Sequence, residues 1–224
     1  MHVHVNAAMS LDGKLASRHR EQVAISGTED FARVDRLRSE VDAVMVGVGT
    51  VLADDPSLTT PIGDRQPARV IVDTHGRTPL DARVLNTDAM TYLLVGGALA
   101  DDRRTSIEAT GATVISTPGT SHVDIGAGLS SLEQEGVDRL LVEGGGELLF
   151  SLFEGALVDT LTVFISPHII GGRDAPTLVD GDGFTDQFTQ LDLVTIEQLD
   201  TGLLCRFDVV GWSDSPAAVS SSDR

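Results

Sequence analysis

Five short apolar runs constrain this chain more than anything else in it: Ala43-Val44-Met45-Val46, Val70-Ile71-Val72, Tyr92-Leu93-Leu94-Val95, Thr113-Val114-Ile115 and Leu140-Leu141-Val142. Each lacks the polar alternation of a strand with one wet face, so both faces must be covered, as they are inside a parallel sheet. Parallel neighbours need crossovers, and helix-compatible stretches lie near 28–40, 100–110 and 126–135. In the first of these, Phe31, Val34, Leu37 and Val41 recur at helical intervals, and Ser26 and Glu29 have the spacing of a capping box. Residues 1–9 predict a strand ending in a turn at Ser10-Leu11-Asp12-Gly13, where Gly13 is free to take the left-handed conformation. After Leu161-Thr162-Val163-Phe164-Ile165 the pattern changes to strands near 191–199 and 203–210, joined across Asp200-Thr201-Gly202. The expected fold is a single α/β domain over residues 1–211, its mostly parallel central sheet flanked by helices and finished by an antiparallel hairpin. The Ser-, Asp- and Ala-rich stretch 212–224 is expected to be a disordered tail.

Charge narrows the function classes. The net charge is −18, and the acids are 24 aspartates and 10 glutamates against 15 arginines and a single lysine, Lys14. Nucleic acid and anionic membranes would be repelled by such a surface. Self-repulsion of this size is screened in molar salt, where the Debye length is about 3 Å, so the composition predicts a halophile. No stretch is apolar enough to span a membrane and the N-terminus lacks a signal pattern, which predicts a cytoplasmic protein. One cysteine, Cys205, rules out an internal disulfide and reads as a strand residue. His2 and His4 have no third ligand at matching spacing, so no metal is expected; His168 has no accompanying nucleophile and reads as a strand-end residue.

Chemistry concentrates where strands end. Leu140-Leu141-Val142 runs into Glu143 and then Gly144-Gly145-Gly146-Glu147-Leu148-Leu149, three glycines opening a helix. Such a junction can cradle a pyrophosphate on free backbone N–H groups, or be merely a flexible turn. Glu143 can bind a polar substrate or hold a proton there, or cap the next helix. A second group follows Gly47-Val48-Gly49: Thr50 can cap a short helix and offer its hydroxyl to a ligand, and Asp54 lies one turn on; Asp55, before Pro56, reads as a turn residue. Arg38 can clamp a phosphate with two parallel hydrogen bonds or pair with Glu40 or Asp42. Lys14 is either a solvated loop cation or a substrate contact.

Taken in order, Ser10-Leu11-Asp12-Gly13-Lys14, Leu37-Arg38 with Asp42-Ala43, Gly49-Thr50-Val51 through Asp54-Asp55-Pro56 to Leu58-Thr59, Arg69-Val70-Ile71-Val72-Asp73, Arg77-Thr78-Pro79, Val142-Glu143-Gly144-Gly145-Gly146, Leu157-Val158-Asp159 and Pro167 to Gly171-Gly172 resemble the reductase family of riboflavin biosynthesis, over about residues 3–211. The resemblance implies a dihydrofolate-reductase-like fold, a homodimer, and reduction of a ribosylamino-pyrimidine 5′-phosphate with NADPH, NADH being the alternative. It implies cofactor contacts from Ala8, Ala24, Thr50, Asp54, Thr74 and the loop Gly144 to Leu149, and substrate contacts from Gln22, Arg38, Leu58 and Glu143. Glu143 and Asp54 are the candidate catalytic groups. The deaminase motif of the bifunctional bacterial members is absent. Asn6 stands where those members tend to carry lysine, and Pro61 where they carry an arginine; both departures point to the archaeal branch. A pteridine reductase of the same fold and a non-catalytic NADPH-binding regulator are the alternative readings.

Overall fold

The computed structural model describes residues 1–19, 23–119 and 121–214. Nine strands form one sheet: β1 (His2–Ser10), β2 (Ala43–Gly47), β3 (Ala68–Val72), β4 (Thr91–Gly96), β5 (Thr113–Thr117), β6 (Arg139–Val142), β7 (Thr160–Ser166), β8 (Gln187–Leu199) and β9 (Gly202–Asp214). Their spatial order is β5-β4-β3-β2-β6-β1-β7-β9-β8. All neighbours from β5 to β7 are parallel, and the last two strands are antiparallel. The helices are α1 (Thr28–Glu40), α2 (Val48–Asp54), α3 (Asp101–Glu108), α4 (Ile125–Gln134) and α5 (Gly146–Glu154).

Successive residues of the apolar runs serve opposite faces, as strand geometry requires. Ala43, Met45, Val70, Leu94, Leu140 and Val142 pack with α4 and α5, whereas Val44, Val46, Ile71, Leu93 and Leu141 pack with α2, α3 and the C-terminal half of α1. Two cores of this kind cover both sides of the parallel strands, which is why those segments carry no polar residue. Arg69 is the exception at the start of β3: fully buried, it donates to the Val84 carbonyl (2.7 Å) and to Asn86 Oδ1 (2.8 Å). It thereby secures the loop that follows β3.

Long-range contacts overrule three local expectations. The capping box of α1 does not form. Gly27 is the N-cap, and the N–H groups of Glu29 and Asp30 are met by the Asp200 carboxylate at 3.2 and 2.9 Å, while Ser26 donates to Asp30 instead. Thr50 does not cap α2 either; Gly47 does, and Thr50 lies inside the helix. Strand β9 reaches Asp214, with the Trp212 ring edge-on to Phe184 at 5.3 Å, so the expected tail starts too early at 212. Its remainder, 215–224, lies outside the described residues. Asp55 behaves as a turn residue: it ends α2 in the left-handed conformation (φ 41°) and accepts the Arg83 N–H at 2.8 Å.

His4, on the same strand face as Asn6, gives the fold a pH dependence. Burial, with Arg206 and two other cationic groups, lowers its pKa from 6.5 to about 4. The ring is neutral in the fold and its Nε2 lies 2.8 Å from the Thr162 hydroxyl. Between those two pH values the unfolded chain binds a proton that the folded chain does not, so stability is intact above pH 6.5 and falls as pH drops towards 4. The loss is expected to be roughly 2–3 kcal/mol, and His4→Gln should flatten this part of the profile in urea titrations at several pH values.

Candidate active site

Strand β6 is short, and its shortness opens the site. Pairing of β1 with β6 ends at Val5 opposite Val142, and pairing of β2 with β6 ends at Met45 opposite Val142. Strand β1 continues to Ser10 with only β7 beside it, so the edge from Asn6 onward faces a gap rather than a strand. The gap lies at the carboxyl ends of the parallel strands, where open α/β sheets hold their ligands. A cavity of about 960 Å³ occupies it, roofed on one side by α1.

The loop after β6 meets the requirements of an anion cradle. Gly144 (φ 142°) and Gly145 (φ 101°) hold backbone conformations that side chains oppose. Gly145 is the N-cap of α5 and places no side chain over the first-turn N–H groups of that helix. The third glycine has a packing reason: a Cβ on Gly146 would collide with Asp180, which itself accepts from the N–H and hydroxyl of Thr177. Across the cavity, a Cβ on Gly49 would meet nothing within 4 Å. A dinucleotide fits this donor set: an uncapped helix N-terminus with glycines on two sides, and room for a ligand between them.

Glu143 and Arg38 come together at the substrate end. The Glu143 carboxylate receives two hydrogen bonds from the Arg38 guanidinium, Nε to Oε1 at 2.7 Å and Nη2 to Oε2 at 2.6 Å, and Nη1 donates to the Thr59 carbonyl at 3.0 Å. Neither Glu40 nor Asp42 takes the role. The two-pronged edge that would clamp a phosphate is therefore engaged by a carboxylate. Burial lowers the Arg38 pKa, but the hydrogen bond and charge of Glu143, with Asp35, outweigh it, and the net shift is upward. Asn6 follows Val5 on β1 as Glu143 follows Val142 on β6, so the two side chains share one face. Asn6 is only 6% exposed, yet its Oδ1 has no partner among the described residues. Asn6 lines the cavity, so this oxygen is open to a donor from a ligand seated there.

Most of the site read from sequence lines this cavity. Ala8, Ala24, Thr50, Asp54 and Thr74 face it, as do Arg38 and the run from Glu143 to Leu148. Burial raises the Asp54 pKa. Leu149 does not reach it; the side chain is fully buried among β-strand residues of the α4/α5 core. Leu58 is likewise in the core, and its contribution is a left-handed backbone (φ 55°) next to Thr59, whose carbonyl Arg38 uses. Lys14 is outside the cavity lining, its ammonium donating to the Ala175 carbonyl at 3.1 Å. Gln22 lies outside the described residues. His168 is exposed and also outside the lining, and no metal-binding cluster occurs among the described residues.

Sequence reasoning overlooked several lining residues. Phe31 and Asp35 face the cavity from α1, seven and three residues before Arg38, which the sequence had already nominated. Phe31 shares the helical apolar spacing of Leu37 and Val41 but is 57% exposed, since only the C-terminal half of α1 packs on the sheet. Arg77, His122 and Asp180 enter from loops after β3, β5 and β7. Position just beyond a strand end was the signal available for the first two.

The chain matches the family described as "RibD C-terminal domain" over residues 1–205. It is 43% identical over 194 residues to 2,5-diamino-6-ribosylamino-4(3H)-pyrimidinone 5′-phosphate reductase of Archaeoglobus fulgidus, covering 82% of this chain and 88% of that one. Against the enzyme of the same name from Methanothermobacter thermautotrophicus it is 42% identical over 216 residues, covering 94% and 99%. Among solved structures, the deaminase/reductase of Thermotoga maritima superposes with a TM-score of 0.72 at 25% identity, over 93% of this chain and 56% of that chain. A pyrimidine reductase-like protein of Corynebacterium diphtheriae gives a TM-score of 0.80 at 19% identity, over 93% and 92%, and this likeness speaks to the fold alone. The reductase half of the bifunctional architecture is thus the part this chain reproduces, and the chain belongs to the RibD C-terminal domain family.

Proposed function

We propose that the chain is the NADPH-dependent reductase that converts the ribosyl group of 2,5-diamino-6-(ribosylamino)-4(3H)-pyrimidinone 5′-phosphate to the ribityl group in riboflavin biosynthesis. The observation that carries this reading is the Glu143–Arg38 pair with Asn6 beside it, one step from an uncapped glycine-rich helix N-terminus in the same cavity. The 42–43% identity to two archaeal reductases of that name supports it.

When bound, the nicotinamide would supply a hydride equivalent to C1′ of the opened sugar. The chain's own contribution is placement and polarity. The first-turn N–H groups of α5 and the helix dipole would hold the pyrophosphate. Arg38 keeps Glu143 in one orientation, from which the carboxylate accepts hydrogen bonds from ribosyl hydroxyls. Asn6 Oδ1 gains a donor once the sugar is seated. Asp54 lines the same cavity with its pKa raised by burial, and in this reading it would exchange a proton with the opening sugar.

We propose further that the enzyme is a cytoplasmic homodimer from a halophilic archaeon. No helix among the described residues is long and apolar enough to cross a membrane. The outer edge strand β8 and its partner expose Leu193, Val194, Ile196, Leu203 and Val210, an apolar face that a second copy would cover. The assay that tests the function follows NADPH oxidation in molar KCl with the ribosylamino-pyrimidine phosphate, its deaminated counterpart and dihydrofolate. Turnover with either pyrimidine supports the reading. Turnover with dihydrofolate alone would replace it with a pteridine reductase, and binding without turnover would replace it with a regulator.

A further inference from the structure

We propose that Asp200, at the tip of the β8–β9 hairpin, is a positioning residue for the reduction, holding the start of α1 at the height over the cavity that the pyrimidine phosphate requires. The proposal rests on the reductase reading above and concerns a residue outside the cavity lining.

Hydrophobic packing places the C-terminal end of α1 and not its start. Leu37 and Val41 pack on the sheet, and the Thr60 hydroxyl donates to the Asp35 carbonyl at 2.8 Å. Towards the start, the buried residue is a carboxylate, Asp30. It accepts from the Ser26 hydroxyl at 2.6 Å and from Arg33 Nη2 at 2.7 Å, bonds that run between residues 26 and 33 and so tie the helix start to itself. Phe31 is exposed, and with Val34 and Asp35 it faces the cavity. Apolar burial therefore leaves the first turn free to tilt, and the contact that stops it comes from Asp200.

The hairpin tip is a fixed post. Gly202 is buried, and a Cβ there would come within 2.4 Å of the Ile165 carbonyl oxygen and 2.6 Å of the Phe164 ring, so the turn is seated on the end of β7. Asp200 holds a left-handed backbone (φ 49°), which aspartate, asparagine and glycine tolerate best. From there its carboxylate accepts the Glu29 N–H on Oδ1 at 3.2 Å and the Asp30 N–H on Oδ2 at 2.9 Å, two of the donors that a helix start leaves unpaired. Its charge also meets the positive end of the helix dipole. The approach is close because the N-cap is Gly27: a Cβ on it would lie 2.4 Å from Asp200 Cγ.

The helix turns this cap into geometry at the site. Phe31 lies about 9 Å along the axis from Leu37, so a tilt of roughly 6° about the packed end moves it by about 1 Å. In a site that works by placement, a displacement of that size can cost about a hundredfold in rate. Phe31, Val34 and Asp35 line the same cavity as Glu143 and Asn6, one to two turns before Arg38. The pyrophosphate is assigned to other elements, α2 and the glycine loop before α5, so loss of the cap should weigh on the pyrimidine phosphate and not on nucleotide binding.

The test compares wild type with three variants. Asp200→Gly removes both acceptors and keeps the left-handed turn; Asp200→Asn keeps one acceptor in a residue that tolerates the same turn; Gly27→Ala leaves Asp200 in place and wedges a methyl group between tip and helix. Three quantities are read: kcat/KM for the ribosylamino-pyrimidine phosphate, NADPH affinity by calorimetry, and amide hydrogen exchange along the chain. Asp200→Gly and Gly27→Ala should lower kcat/KM roughly 10- to 100-fold and speed exchange at residues 29–31, with NADPH affinity and exchange in β9 unchanged. Asp200→Asn should recover most of the loss. Faster exchange at 29–31 with kcat/KM intact would overturn the proposal, because the helix start would then be loose without consequence. Equal losses of substrate turnover and NADPH affinity, with β9 losing protection, would also overturn it in favour of a role in the fold alone, as would an Asp200→Asn variant no better than Asp200→Gly. The reductase reading fails separately, on a wild type that turns over no ribosylamino-pyrimidine phosphate.

Discussion

Glu143→Gln is expected to lower kcat/KM for the ribosylamino-pyrimidine phosphate at least a hundredfold and to destabilise the fold by about 2–3 kcal/mol. The side chains of Arg38 and Glu143 are 19% and 10% exposed, so the pair is largely shielded from water. Glutamine keeps the shape but offers one acceptor and turns an NH₂ towards the guanidinium, donor against donor. Arg38 cannot shed its proton, and its charge is left with the more distant Asp35 to balance it. A fully buried pair broken in this way costs roughly 3–5 kcal/mol, and residual exposure reduces the figure here. Chemical denaturation reads the stability and steady-state kinetics the activity. Arg38→Ala separates two roles for the arginine. Because its fork is already on Glu143, the variant should be similarly impaired on substrates with and without the 5′-phosphate. Impairment confined to the phosphorylated substrate would show that Arg38 leaves Glu143 to clamp phosphate.

What could be read in advance follows from the range of the interactions concerned. The parallel strands were legible because burial on two faces writes itself into consecutive residues, as in Ala43 to Val46. The hairpin at 200–202 was legible because a tight turn needs local chemistry. The start of α1 was not, since Asp200 supplies its cap from 170 residues away. The Arg38–Glu143 bond spans 105 residues, so each residue could be nominated separately while their joint role could not. Leu58 and Leu149 show the converse. Each sits within a run of site residues, but a left-handed loop backbone at Leu58 and helix periodicity at Leu149 turn their side chains into the core, and proximity in sequence carries no information on that. The exposure of Phe31 has a related reason: apolar spacing marks a face, not what covers it.

Gly49→Glu is expected to abolish binding of the nicotinamide nucleotide while leaving the fold at least as stable. Gly49 is the second residue of α2, has an ordinary helical backbone, and lines the cavity with open space where its Cβ would lie. Replacing a helical glycine gains up to about 1 kcal/mol of helix propensity, and a carboxylate in a first turn is favoured by the helix dipole. Inside the cavity the same carboxylate would face a bound pyrophosphate. Two like charges 4 Å apart near a protein surface repel by about 4 kcal/mol, close to a thousandfold in affinity. The glycines after Glu143 would make a poorer test. At Gly145 any side chain is strained by φ 101°, so lost binding there could be lost structure. Gly49→Ala supplies the control, adding a methyl group without charge and so weakening binding far less than Gly49→Glu. If calorimetry finds nucleotide affinity unchanged in a Gly49→Glu variant that melts cooperatively, the cofactor does not pass between α2 and the glycine loop, and the placement of hydride donor against Glu143 goes with it.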